Sequence, residues 1–151
     1  MNIDIHSLKN AERILRIFLA SLLAMTAIYK MIVGGAGLVA FYEPQFANNP
    51  YGLPMSMIGP ILYLIGPLEM AIAIALFITP LRNYALYTYF GLLIVLMFGH
   101  FALSEFHEVN GLFDYMLGGL LIYVLPKHPS LFYSRKSKST TVELKPAASI
   151  A

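Results

Sequence analysis

A single carboxylate interrupts a long apolar run in the middle of the chain. From Ile58 to Thr79 the only charged residue is Glu69, which follows the helix-breaking sequence Gly66-Pro67-Leu68. A helix of about 20 residues, rising 1.5 Å per residue, crosses the roughly 30 Å hydrocarbon core of a bilayer. Because a charge in that core is costly, we expect Glu69 to be paired with another group or protonated.

The composition places the whole chain in a membrane. Of its 151 residues, 58% are hydrophobic and 12% are charged, whereas soluble domains carry about 25% charged residues. The chain has no cysteine, which excludes disulfides, thiol chemistry and cysteine-ligated metal centres. Its basic ends are short and flank apolar spans, so they predict membrane topology and no binding of nucleic acid.

The apolar runs predict an all-α fold, an integral membrane four-helix antiparallel bundle over residues 1–129. The last span is short, and we expect its helix to begin upstream, near Glu105. Residues 130–151 have the Ser/Thr/Lys/Pro composition of a disordered cytoplasmic tail. The predicted spans are about 14–33, 58–79, 84–103 and 111–125.

The first helix and the connection after it carry the clearest local signals. Ser7 or Asn10 is suited to cap a helix beginning near Ala11, and Gly34-Gly35 is suited to end it. The segment from Leu38 to Phe46 predicts a short interfacial helix, followed by an irregular Asn/Pro-rich stretch. This connection is a candidate lid over the bundle.

The distribution of Lys and Arg predicts the orientation. Basic residues occur at the N-terminus, in the turn at Arg82 and in the tail, and the other two connections have none. The positive-inside rule then places both termini in the cytoplasm, and the expected location is the bacterial inner membrane. Arg13 and Arg16 are expected to reach lipid phosphates. The basic start also fits a signal peptide, but the apolar stretch continues past Lys30 to spanning length.

Each predicted span contributes one ionisable group to the middle or outer half of the bundle: Lys30, Glu69, His100 and Asp114. Lys30 and Glu69 are complementary and are able to pair, although Lys30 is also able to reach the outer interface. Glu69 is alternatively a protonated carboxyl bonded to a neighbouring helix. Asp114 either favours a helix N-terminus or ends a proton path. Lys30, Glu69 and His100 form the candidate proton-handling cluster, and Asp114 is a further candidate catalytic residue.

His100 has more than one possible chemistry. An imidazole in an apolar span is able to shuttle protons, to bind a haem or metal, or to donate to a quinone carbonyl. On a continuous helix His107 would share its face two turns away, about 11 Å, which is too far for one metal ion. We therefore expect no metal site and no intrinsic cofactor, with a quinone as the one candidate ligand.

The chain resembles the DoxX/DoxD-like family of small four-helix membrane proteins over roughly residues 12–125. The first matching features are Arg13-Ile-Leu-Arg16 and Tyr29-Lys30-Met31, followed by a proline-containing outer loop. Gly66-Pro-Leu-Glu69-Met, the turn at Arg82 and His100 complete the match. The chain has Ala27 and Ala73 where the family often has glycine.

The resemblance implies an accessory or structural subunit of a quinone-linked membrane redox assembly, which is the first hypothesis. A second is a quinone-interacting oxidoreductase subunit in which Glu69 and His100 exchange protons and Lys30 tunes Glu69. A third is a membrane chaperone or small transporter, although no inverted repeat is evident in the sequence. The expected partners are the lipid bilayer and either other membrane subunits or further copies of this chain.

Overall fold

The computed structural model describes residues 4–47 and 51–128. The helices of this part are α1 (Ile5–Ala47), α2 (Met55–Phe77), α3 (Arg82–Ala102) and α4 (Phe106–Val124), with a 3-10 turn, Thr79–Leu81, between α2 and α3. The all-helical prediction is confirmed for these residues. The tail prediction for 130–151 lies outside them, as does part of the irregular stretch predicted after Phe46.

Gly34 divides α1 into two helical parts. Its φ of 74° and ψ of 158° are non-helical, in the positive-φ region that a residue without a Cβ reaches easily. We call residues 5–33 the stem and residues 35–47 the arm. The predicted break at Gly34 is therefore confirmed, and the helix predicted from Leu38 to Phe46 lies in the arm.

The start of α1 differs from the prediction. The helix begins at Ile5 and not near Ala11, because Asp4 caps it: the backbone N–H of His6 donates to Asp4 Oδ1 at 3.0 Å. An aspartate is among the best N-cap residues. The predicted start of α4, near Glu105, agrees with the structure, in which the helix begins at Phe106.

The four helices form an antiparallel ring in which α1 contacts α2 and α4, and α3 contacts the same two helices. One end of the bundle, here the Glu12 end, gathers the starts of α1 and α3 with the ends of α2 and α4. The other, the Gly34 end, carries the arm. Buried apolar side chains between the helices, including Leu23, Ile72 and Leu86, form the core.

Three helical segments among the described residues are long and apolar enough to cross a membrane. They are α1, α2 and the stretch Thr79–Ala102, which includes α3. The exposed surface of the bundle is rich in large apolar side chains such as Ile32, Leu64 and Phe98. An apolar exterior of this kind is suited to lipid or to other membrane helices.

Three charged side chains lie buried together at the Glu12 end. Glu12 and Arg16 are fully buried, and Arg82 is 4% exposed. Glu12 Oε1 lies 2.8 Å from Arg82 Nε and 3.4 Å from Arg16 Nε. The cluster therefore connects the stem of α1 to the start of α3.

The same cluster also holds the end of α4. Arg82 donates to the carbonyl oxygens of Ile122 and, at 3.1 Å, of Leu125. The backbone N–H of His128 donates to Glu12 Oε2 at 3.2 Å. The two bonds from Arg82 satisfy carbonyls at the end of α4 that have no partner within the helix.

The prediction that Arg16 reaches lipid phosphates is wrong. Its side chain is fully buried against Glu12, one turn earlier on the same helix, and its Nη2 lies 3.5 Å from the hydroxyl oxygen of Thr79. The carboxylate of Glu12, four residues earlier on α1, gives the Arg16 guanidinium an ion-pair partner inside the bundle in place of lipid phosphates.

Replacing Glu12 should destabilise the bundle more than replacing Arg16. Glu12→Gln leaves two buried guanidinium groups without a carboxylate, and we expect a loss of about 3–5 kcal/mol in the free energy of unfolding. Arg16→Met keeps the Glu12–Arg82 pair and removes the surplus cation, so its cost should be much smaller. Denaturant unfolding in detergent, followed by circular dichroism, measures both. Equal losses for the two variants would contradict this view of the cluster.

Candidate functional site

A cavity of about 470 Å³ lies between the four helices and extends to the Gly34 end. Its lining is mainly apolar: Leu19 and Leu23 of the stem, Ile58 of α2, and Leu92 and Leu96 of α3 are examples. The arm contributes Leu38, Tyr42 and Phe46. The expectation that this connection covers the bundle therefore agrees with its position.

A buried ion pair lies in the wall of this apolar cavity. Lys30 Nζ of the stem is bonded to Glu69 Oε1 of α2, and both side chains line the cavity. The Glu69 side chain is 3% exposed and that of Lys30 is 23% exposed. The predicted pairing is confirmed, and the alternative in which Lys30 reaches the membrane surface is not observed.

Thr26 completes the environment of Glu69. Its hydroxyl donates to Glu69 Oε2 at 3.2 Å, and its oxygen also lies 3.0 Å from the carbonyl oxygen of Leu23. Thr26 precedes Lys30 by one turn, so both side chains lie on the same face of the stem. Sequence reasoning did not identify Thr26, although its four-residue spacing from Lys30 was an available signal.

A glycine allows the two helices to approach closely at the ion pair. A Cβ at Gly66 would lie 3.3 Å from Lys30 Cβ and from Met31 Cγ, tighter than most contacts of that kind. Gly66 also precedes Glu69 by about one turn of α2. The Gly66-Pro67-Leu68-Glu69 sequence therefore supplies both the carboxylate and the space for the helix that carries its partner.

Tyr89 is a further polar group at the cavity that sequence reasoning missed. Its ring is buried, with 1% of the residue exposed, and its hydroxyl donates to the carbonyl oxygen of Tyr115 on α4 at 2.9 Å. Both residues line the cavity. The bond fixes α3 against α4 and leaves the apolar ring facing the cavity space.

His100 lines the cavity near the Gly34 end. Its Nδ1 lies 2.6 Å from Glu105 Oε2, across the turn that joins α3 to α4. His107 is exposed on α4, and the turn between the helices means that His100 and His107 do not share one continuous helix face. Within residues 4–47 and 51–128, no group of three or more His, Asp or Glu is placed to hold a metal ion.

Asp114 does not join the other three candidate residues. Its side chain is exposed on α4, whereas Lys30, Glu69 and His100 all line the same cavity. The structure therefore brings together three of the four residues proposed from the sequence. Asp114 is not part of the cavity lining.

The chemistry available in the cavity is that of an apolar chamber with a few polar groups. The Lys30 ammonium is a donor, the Glu69 carboxylate is an acceptor, and the His100 imidazole is able to be either. Such a site suits a molecule with an apolar body and a small polar head, because pockets for small molecules combine an apolar lining with few polar groups.

Comparisons of this chain with protein-family models, with curated proteins and with solved structures found no match. What can be concluded about its chemistry therefore comes from the geometry of the cavity and its ion pair.

Replacing Lys30 or Glu69 alone should lower the free energy of unfolding more than replacing both together. Lys30→Met leaves Glu69 buried without its cation, and we expect a loss of about 3–5 kcal/mol in the free energy of unfolding. The double variant Lys30→Met, Glu69→Met leaves no buried charge at this site and should recover most of that loss. Denaturant unfolding of the two single variants and the double variant measures the coupling.

Thr26→Val provides the matched control for this cycle. It removes one neutral donor to Glu69 while keeping the size of the side chain, so a loss of about 0.5–1.5 kcal/mol is expected. Additive effects of the Lys30 and Glu69 substitutions would contradict a direct interaction between these side chains.

Proposed function

We propose that the protein is a small integral membrane subunit of a quinone-linked redox assembly and that it holds the quinone in its cavity. The observation that carries this proposal is the buried Lys30–Glu69 pair in the wall of an apolar cavity, inside helices long enough to cross a membrane. The likeness of the sequence to the DoxX/DoxD-like family supports the same view.

The cavity suits a quinone in size and in polarity. Its volume of about 470 Å³ lies within the usual range for small-molecule sites, roughly 300–1,000 Å³. The leucine and isoleucine lining accommodates the ring and the tail. The ring carbonyls are hydrogen-bond acceptors, and Lys30 and His100 offer N–H donors to them.

The polar residues of the cavity also suit the proton chemistry of a quinone. Reduction of a quinone takes up electrons and an equal number of protons. In the proposed assembly a redox-active partner subunit supplies the electrons. Glu69 and His100 exchange protons with the bound ring, and Lys30 compensates the charge of Glu69 so that the carboxylate is tolerated in an apolar wall.

The proposed orientation places the Glu12 end in the cytoplasm and the cavity in the outer half of the bilayer. It follows from the basic residues near the N-terminus and at Arg82, since positive charge favours the cytoplasmic side. In this arrangement α4 is the fourth span. His100 and Glu105 then lie near the outer surface, close to water that is able to supply protons.

Quinone binding should depend on both Glu69 and His100. For a decyl-tailed benzoquinone added to the protein in nanodiscs, we expect His100→Ala to weaken binding by about tenfold, because it removes one donor to a ring carbonyl. Glu69→Gln should weaken binding by a similar factor, because it removes the carboxylate that holds Lys30, the other donor, in place. Equilibrium dialysis with the radiolabelled quinone measures the affinity.

Asp114→Asn is the matched control for this experiment. It alters one ionisable residue of the bundle outside the cavity, so its affinity should equal that of the unchanged protein. Unchanged binding in both the Glu69 and the His100 variants would remove these residues from the proposed site.

One observation favours an additional accessory role, in which α4 contacts a partner subunit. Asp114 is exposed in the middle of α4, where its neighbours Phe113 and Leu117 are large, apolar and at least half exposed. A carboxylate facing lipid at that depth is costly. A membrane helix of a partner that offers a basic or donor side chain would remove this cost.

Photo-crosslinking from α4 tests the accessory role. A photoreactive residue replacing Leu117, one turn from Asp114, should give a protein adduct in native membranes, and the adduct should be lost when Asp114→Lys is added. Ile74 of α2, which is also exposed, is the control position and should give lipid adducts. Equal yields of the protein adduct from both positions would argue against a specific contact on α4.

A further inference from the structure

We infer that the cavity takes its ligand directly from the bilayer, through an opening between α2 and α3, and that the ligand is therefore a molecule with a long apolar tail. This inference rests on the proposed function and specifies it further. The polar head lies at Lys30 and Glu69, and the tail leaves the protein between the two helices.

The opening is indicated by side chains that belong both to the cavity wall and to the outer surface. Met57 and Ile61 of α2 line the cavity and are 64% and 41% exposed, and Val95 and Phe98 of α3 line it and are 44% and 60% exposed. Because these side chains line the cavity and also carry a large exposed surface, we place the opening at them. These four residues, here called the portal, lie on adjacent helices.

Two of the portal residues, one on α2 and one on α3, lie at the same height along the bundle. The two helices are antiparallel and joined by a short turn at Thr79–Leu81, so residues equally far from the turn lie side by side. Ile61 and Phe98 satisfy this condition. Along α2 the portal residue Ile61 lies about 12 Å from Glu69, at 1.5 Å per residue, a distance that an alkyl tail spans easily.

Among the described residues, apolar side chains of the arm cover much of the Gly34 end of the cavity. The arm lies over that end of the cavity, with Phe46 5% exposed and with Leu38 and Tyr42 packed against the core. A water-soluble ligand entering there would have to displace these apolar side chains. The arm therefore covers the cavity on the side opposite to the cluster at the Glu12 end.

The portal differs in polarity from the wall formed by α4. The exposed lining residues of α4 are Glu108 and Tyr115, which both carry polar groups. The four portal residues are all apolar, and α2 and α3 belong to segments long enough to cross a membrane. An apolar opening between two such helices suits the tail of a lipid-like ligand, because a hydrocarbon tail makes no hydrogen bonds and needs no polar group beside it.

Cross-linking the portal tests this inference, and the absence of native cysteine makes the chemistry specific. Ile61→Cys with Phe98→Cys is joined by a cleavable bismaleimide in nanodiscs. We expect association and dissociation of a decyl-tailed benzoquinone to slow by about tenfold or more, because the linker holds α2 and α3 together at the opening through which the tail must pass. Cleavage of the linker should restore both rates.

The control pair is Ala71→Cys with Thr88→Cys, which also joins α2 to α3 at matching heights but lies outside the cavity lining. Cross-linking it should leave the rates unchanged. Unchanged rates in the cross-linked portal variant would overturn the lateral route while leaving quinone binding intact. No binding of the quinone by the unmodified protein would overturn the proposed function and this inference together.

Labelling of single-cysteine variants tests the same opening without the double variants. A lipid-soluble maleimide should react with Ile61→Cys, and the decyl-tailed benzoquinone should slow that reaction severalfold, because the tail occupies the portal. The same quinone should not protect Ala71→Cys. Equal protection at the two positions, or none at Ile61, would contradict a tail that leaves between α2 and α3.

Discussion

The ion pair between Glu12 and Arg82 is the interaction on which the arrangement of the four helices depends. It joins the start of α1 to the start of α3, and Arg82 also binds the last carbonyls of α4. Buried charges are tolerated only with well-placed partners. This requirement fixes which helix ends meet, and it leaves the opposite end free to carry a cavity.

The Gly34 end differs from the Glu12 end in the interactions that form it. There α1 bends at Gly34, whose φ is positive, and the arm covers the bundle with apolar side chains. The polar groups at this end, Lys30 with Glu69 and His100 with Glu105, occur as pairs around the cavity and not as a packed cluster. In the proposed function, the charged cluster at the Glu12 end stabilises the bundle and the cavity at the Gly34 end binds the ligand.

Much of this organisation could be predicted from the sequence. Apolar runs and their breakers indicate the helices, and the charges of Lys30 and Glu69 indicate a pair. The burial of Arg16 could not be predicted from a basic residue at the edge of an apolar run, which usually marks the membrane surface. Thr26 and Tyr89 were missed because threonine and tyrosine are common in membrane helices, and only the packing of neighbouring helices shows which of them meet polar groups.

We propose that the Lys30–Glu69 pair holds the polar head of a quinone. The most direct test of this proposal is the chemical shift of the carboxyl carbon of Glu69, observed by NMR in nanodiscs as decyl-tailed benzoquinone is added. We expect a saturable change at Glu69 and none at Glu12, which is buried in the cluster at the other end and does not line the cavity. An unchanged Glu69 signal at saturating quinone, or equal changes at both carboxyls, would contradict the proposal.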